Sequence, residues 1–350
     1  MPDTPLASRL EGLTIENWKV IKKRIKTADD HSGAFSSGYE VQNIKDGSCG
    51  FLKAMNYDYA FKELKPGISS TVFLQELTEN YNYEKDLLEL CKEKRMSRIV
   101  TAIGHGEYRE PAGMFPVPYL IFEIADGNLK NVKSKKQLDL AWKLGAMHGF
   151  LVGLSQLHKQ RIVHQDIKPS NVLIFGHNVS KLSDLGNATM YDKKSPMWHK
   201  DGHCGDRSYA PIELLYGYCS PNWDTRRLAA DFFMAGGIIT YLITDSNFLS
   251  LLAANLPDIY KPFTFGGTFA DAKPHVMQAY FKTIDEIKDR IDISIRKELI
   301  EIISQLTHPV PEERGLLKGK RFFTSLPQYS LDRYISIIDR LAKKNELIKT

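Results

Sequence analysis

Long apolar runs are missing from this 350-residue chain. The longest, residues 232–244, is closed at both ends by Asp231 and Asp245 and falls short of the roughly 20 residues a bilayer-spanning helix needs. No membrane segment is expected. Cysteine is scarce as well: Cys49, Cys91, Cys204 and Cys219 are scattered without CxxC spacing. That speaks against a zinc site and a disulfide framework and leaves reduced thiols as the expectation. Blocks of one charge sign are absent, since 47 Lys and Arg interleave with 42 Asp and Glu to a net charge of +5. No nucleic-acid tract is indicated. The mild basicity suits an anionic nucleotide or an acidic partner and specifies neither. The opening MPDTPLASRLEGL has no basic region followed by an apolar stretch and a small-residue cleavage site, so it does not read as a secretory signal and a cytoplasmic location is expected. No internal repeat, low-complexity tract or Pro-rich or Gly/Ser-rich linker interrupts the chain, which reads as one functional unit.

What is present is enough apolar material, 43% of residues, to bury one large core or two lobes that share a cleft. Residues 1–15 read as a polar leader. WKVIKKRIK, YEVQNI and GFLKAM then follow as short strand-like runs separated by Gly, Ser and Asp turns. Residues 72–93 turn helical and charged, after which RIVTAIGHG and YLIFEIA return to strand character around the turn-forming EPAGMFPVP. The part before Gly127 is therefore expected to be β-rich with one helix. After Lys135 come long amphipathic patterns: LDLAWKLGAMHGFLVGLSQLHKQ, DFFMAGGIITYLIT, KELIEIISQLT and LDRYISIIDRLAKKN. The expectation is an α+β chain with a small β-rich lobe over residues 16–125 and a larger helical lobe over residues 126–350.

The segment His164-Gln165-Asp166-Ile167-Lys168-Pro169-Ser170-Asn171 lies between a helical pattern and the apolar strand VLIF, and thirteen residues after Asn171 comes Asp184 in Ser183-Asp184-Leu185-Gly186. The first resembles the catalytic loop H-R-D-x-x-x-x-N of the protein kinase superfamily, with Gln165 in place of Arg. The second resembles its D-F-G motif, with Leu185 in place of Phe. The resemblance implies the bilobal kinase fold and the residue roles that go with it. Asp166 would orient the attacking hydroxyl. Lys168 would supply positive charge where the γ-phosphate gathers negative charge, and a Lys two residues after the Asp is the serine/threonine form of the loop. Asn171 and Asp184 would hold Mg2+, a hard cation that takes oxygen donors.

Upstream, Lys53 in GFLKAM lies in an apolar strand, where a lysine is costly unless it meets an anion. It is similar to the V-A-I-K lysine of the family. The implied partner is a helical glutamate: Glu84 first, with Glu76 and Glu79 as alternatives. Residues 31–38, HSGAFSSG, resemble the glycine-rich nucleotide loop through Gly33 and Phe35, and the stretch from Gly33 to Gly38 would cover the nucleotide. His31 and Ser36 replace two glycines there, which should stiffen the loop. The segment YLIFEIADGN resembles the strand and hinge between lobes, with backbone near Glu123 and Ala125 meeting adenine, Phe122 as gatekeeper and Asp126 or Asn128 near the ribose.

GDRSYAPIE, residues 205–213, resembles the end of an activation segment, in which Glu213 would pair with a buried arginine, Arg314. Asp231 resembles the aspartate that ties down the catalytic loop. Gln165 removes the arginine that would gather an activation-segment phosphate, so such phosphorylation is not expected to be the main switch. Asp206 stands where serine/threonine kinases carry a threonine, and it could pair with Lys168. Trp198, His199, His203 and Cys204 are read as ordinary loop residues because their spacing fits no standard zinc site. The resulting expectation is a kinase that uses Mg-ATP and a protein substrate with a Ser/Thr hydroxyl, and no nucleic acid or membrane. A small-alcohol phosphotransferase and a nucleotide-binding pseudokinase scaffold are the alternatives.

Overall fold

The computed structural model describes residues 4–24, 36–62, 64, 67, 69–110, 115–135, 138–176, 178–191, 193, 205–316 and 327–347. The chain divides between Asp126 and Gly127 into two compact units.

Unit 1 is built from β1 (Thr14–Ile15), β2 (Trp18–Arg24), β3 (Ser36–Asn43), β4 (Cys49–Met55), α1 (Tyr57–Lys62), α2 (Ser70–Glu93), β5 (Ala102–Tyr108) and β6 (Val117–Glu123). The strands form an antiparallel sheet in the order β1-β2-β3-β4-β6-β5. Alternation along β3 and β4 buries Tyr39, Val41, Leu52 and Ala54 on one face, the period-2 pattern of a half-buried sheet.

Two expectations are corrected in this unit. The expected polar leader over residues 1–15 is not one in its described part, residues 4–15, because Leu6, Ala7 and Leu10 belong to the same core cluster as Tyr39 and Leu52. Tyr39 fastens them by donating its hydroxyl to Ala7 O at 2.8 Å. The polar residues between these apolar positions masked the pattern. The unit also carries a second helix besides α2: Asn56 Oδ1 accepts from Tyr59 N at 3.0 Å and so caps the start of α1. This extra turn of chain lengthens the interval between Lys53 and Glu84.

Unit 2 contains β7 (Gly127–Asn128), α3 (Leu129–Lys135), α4 (Leu140–Lys159), β8 (Ile162–Val163), β9 (Val172–Phe175), β10 (Val179–Leu182), β11 (Thr189–Met190), α5 (Ile212–Leu215), α6 (Trp223–Thr244), α7 (Phe248–Asn255), α8 (Phe269–Arg290), α9 (Arg296–Leu306) and α10 (Asp332–Leu347). Its strands make two small antiparallel sheets, β10-β9-β7 and β11-β8. The axis of the unit is α6, which packs against α4, α7, α8 and α9. By length and composition α6 could cross a bilayer, yet 83% of its apolar window is buried inside the unit. A helix apolar on all sides is what a core position requires.

Candidate active site

The site in unit 2 is laid out by short local elements. In the β9·β10 hairpin Val172 pairs with Leu182, so Asn171 on one arm and Ser183 and Asp184 on the other emerge at the same end. Ser183 N and Ser183 Oγ both donate to Asn171 O, at 2.9 and 3.1 Å. His164 Nε2 lies 3.0 Å from Ser183 O and joins the loop after β8 to this hairpin.

The loop itself hangs on Asp231 of α6, which is fully buried. Its Oδ2 accepts from His164 N and its Oδ1 from Gln165 N, both at 2.8 Å, and His158 Nε2 lies 2.8 Å from Oδ2. A buried carboxylate needs such donors. They also hold Gln165 in the left-handed region at φ 62°, while Asp184 sits there at φ 63°. Both are conformations that a non-glycine residue keeps only when its surroundings enforce them.

Asp166 is 4% exposed. Its Oδ2 faces Lys168 Nζ at 3.1 Å and accepts from Asn171 Nδ2 at 3.1 Å and Asn187 Nδ2 at 3.4 Å. Its Oδ1 accepts from Asp206 N at 2.9 Å. Burial pushes the Asp166 carboxyl above the usual carboxylate range and the negative charge of Asp184 adds to that, while Lys168 and the Asp206 N–H oppose it. A second acceptor site on Oδ1 can take a hydroxyl proton, which is what a group orienting a nucleophile must offer.

The oxygen donors fit a hard divalent cation. The Asn171 amide nitrogen is turned to Asp166, reaching its main-chain oxygen at 2.8 Å as well, which leaves the amide oxygen for a metal beside the Asp184 carboxylate. Among the described residues there is no group of three or more His, Cys, Asp or Glu that could hold a metal. Two protein oxygens completed by phosphate and water suit Mg2+ better than a metal requiring an all-protein cage.

Gly205 explains how the segment after Asp184 returns to Asp166. Its φ is +98°, and a Cβ there would stand 2.6 Å from Gln165 O and 2.8 Å from Asp166 Oδ1. Only a residue without a side chain lets the chain pass so closely. Asp206 Oδ2 lies 3.9 Å from Lys168 Nζ. Farther along, Arg314, wholly buried, donates to Glu213 through Nη1 at 3.0 Å and Nη2 at 2.9 Å, and also to Ala229 O and His308 O at 2.8 Å each. Burial raises the Glu213 carboxyl, and Arg314 works against that rise.

In unit 1, Lys53 Nζ donates to both carboxylate oxygens of Glu84 at 2.8 and 3.1 Å. Glu84 belongs to the buried face of α2 with Tyr81, Leu87, Leu88 and Cys91, whereas Glu79 pairs with Gln75 and is exposed. Gly38 lies in β3 opposite Lys53, where a Cβ would stand 2.8 Å from the Phe51 ring. Glu123 ends β6 opposite Gly50, and Ala125 is half-buried. Gly33 and Phe35 lie outside the described residues, as do His31, Trp198, His199, His203 and Cys204. In unit 2, Asn128 accepts from Asn131 N at 2.9 Å and so caps α3.

The sequence reading missed Asn187 and Arg227. Arg227 stands four residues before Asp231 on α6, one helical turn away on the same face, and that spacing was the available signal. Asn187 follows Asp184 by three residues and carries no comparable signal.

The profile of the protein kinase domain matches residues 32–318. The serine/threonine-protein kinase chk-1 of Caenorhabditis elegans is 34% identical over 142 residues, covering 39% of this chain and 28% of that protein. An Aurora kinase of Yarrowia lipolytica is 26% identical over 185 residues, covering 52% and 43%. Cyclin-dependent kinase 7 of Caenorhabditis elegans is 27% identical over 190 residues, covering 53% and 50%. The chain spans half or less of the length of these relatives.

Proposed function

Because this chain belongs to the protein kinase family, matched over more than half its length, we propose that it transfers the γ-phosphoryl group of Mg-ATP to a serine or threonine hydroxyl of a protein. The observation that carries this reading is the setting of Asp166. Its carboxylate is buried among Lys168, Asn171 and Asn187, has one oxygen turned to the Asp206 N–H, and lies within electrostatic reach of Asp184.

In this reading Asp166 Oδ1 takes the hydrogen bond of the acceptor hydroxyl and sets its oxygen for attack. Lys168 holds the Asp166 carboxylate in place and offers its charge to the transferred group. Asn171 and Asp184 would hold Mg2+, which when bound would neutralise charge on the phosphates. Lys53, fixed by Glu84, serves the α and β phosphates. Gly38 would help cover the nucleotide, with Gly33 and Phe35 expected beside it from the sequence, and the backbone near Glu123 and Ala125 would meet adenine.

A protein rather than a small alcohol is favoured as acceptor by the segment at residues 205–213, which is fastened to the helical core through Glu213 and Arg314. The test is transfer of radiolabel from γ-labelled Mg-ATP to a generic protein acceptor, comparing wild type with Asp166→Ala. The expected loss in the variant is about 10²- to 10⁴-fold, the scale of a positioned acid–base group. Turnover of a small alcohol without protein labelling would replace the acceptor class, and no transfer by wild type to itself or any acceptor would leave a nucleotide-binding scaffold.

A further inference from the structure

Unit 2 contains a second polar network beside the groups assigned to acceptor and metal. Gln165 and Arg227 are both buried, and burying a guanidinium is costly unless its donors are used. Arg227 Nη1 donates to Gln165 Oε1. Gln165 Nε2 donates in turn to Asn187 O at 3.1 Å and to Thr189 Oγ1. Asp231, one turn from Arg227 on α6, holds the main-chain nitrogen of the same Gln165 at 2.8 Å. The helix therefore grips Gln165 by backbone and side chain together.

The residue type is the telling point. A glutamine amide has an acceptor for Arg227 and a donor for Asn187 O, whereas an arginine at 165 would have no acceptor and a glutamate no donor. The stretch that Gln165 reaches is held by further ties that need no phosphate. Thr189 and Met190 pair with Val163 and Ile162, and Tyr191 N donates to Arg161 O at 3.0 Å. The Arg161 guanidinium lies 4.3 Å from the Tyr191 ring centroid and 4.9 Å from that of Trp223, with its Nη1 2.9 Å from Asp224 Oδ1. Asn187 closes the circuit by donating through Nδ2 to Asp166 Oδ2 at 3.4 Å.

We propose that Gln165, aimed by Arg227, is a positioning residue that locks residues 187–191 to the catalytic loop and keeps Asn187 in register with Asp166. The rate readout rests on the kinase reading above, and the exchange readout does not.

The test compares wild type, Gln165→Glu and the near-isosteric Thr189→Val by amide hydrogen exchange at residues 187–191 and by steady-state kinetics. Gln165→Glu keeps a partner for Arg227 and turns an oxygen toward Asn187 O, so exchange there should rise about tenfold as the segment opens locally. Its kcat should fall about 10- to 100-fold, the effect of misplacing a reacting group, with KM for ATP within about threefold. Thr189→Val should shift both readouts in the same direction by about threefold, because it removes one acceptor of the Gln165 amide. Unchanged exchange and kcat in Gln165→Glu would overturn the proposal. If wild type transfers no phosphoryl group, the kinase reading fails while the exchange result still decides the lock.

Discussion

At the scale of single residues, the two oxygens of Asp166 are treated differently, and in the proposed reading the difference tells which one would meet the acceptor hydroxyl. Three side-chain donors converge on Oδ2, whereas Oδ1 receives the main-chain N–H of Asp206. Asp206 satisfies its own Oδ1 with Ser208 N at 2.9 Å and Ser208 Oγ at 2.6 Å. With its Oδ2 at 3.9 Å from Lys168 Nζ, against 3.1 Å for Asp166, Asp206 is the lesser partner of that lysine. The Asp206 N–H reaches Asp166 only because Gly205 lets the chain pass. Gly205→Ala is therefore expected to move the Asp206 amide away and to lower kcat about tenfold or more, as small displacements of a reacting group do. Global stability should also fall, by more than about 1 kcal/mol, because alanine is strained at positive φ and its Cβ would meet Gln165 O. Kinetics and urea unfolding on the same preparation check this, and an Ala variant with wild-type kcat would show that the close passage has no part in aligning Asp166.

At the scale of elements, α6 sets the site from below and the buried ion pair of Glu213 and Arg314 fastens the end of α5's segment to the core. Removing one partner of a buried pair leaves the other charge uncompensated, so Arg314→Met should cost about 3–5 kcal/mol at neutral pH. The sign with pH follows from Glu213, whose folded pKa is raised by burial even with Arg314 beside it. Without the arginine the rise grows. A raised carboxyl contributes stability that is present below its unfolded pKa, about 4.3, and is lost as pH climbs toward the folded value. The gap between variant and wild type should therefore be widest near pH 7.5 and narrow toward pH 5 in urea unfolding. Equal gaps at both pH values would mean that Glu213 does not carry the cost.

How far such elements were legible in the sequence depended on range. Residues 164–171 and 183–186 could be placed because a hairpin of short arms fixes their spacing locally, and Glu213 with Arg314 because both ends stand in motifs. The helix α1 was hidden, since YDYAFK has little periodicity and only Asn56 announces it. Asn187 was hidden for another reason: its role comes from Asp166, and no local pattern encodes that meeting; for Arg227 the spacing to Asp231 marks the helix face but does not name its partner, Gln165. The reading of α6 as short of a membrane span counted only residues 232–244. The helix begins at Trp223, and what identifies it as a core helix is its burial.

At the scale of the molecule, each unit carries its own apolar core, and that of unit 1 depends on the first residues of the chain. Leu10 is fully buried, and its main-chain nitrogen donates at 3.4 Å to the same Tyr39 hydroxyl that binds Ala7 O. Truncating a leucine in such a place removes its transfer energy and leaves a cavity, so Leu10→Ala should destabilise unit 1 by about 2–5 kcal/mol. A residue in a solvated tail would change stability by less than about 0.5 kcal/mol. The effect should be confined to the unit that owns the core: amides of β3 and β4 should exchange faster in Leu10→Ala while those of α6 keep wild-type protection. Because the pairing of Gly38 with Lys53 is part of that sheet, the loosening would reach the strand that carries the lysine. Protection of β3 and β4 equal to wild type would mean that the opening residues rest on the sheet without supporting it.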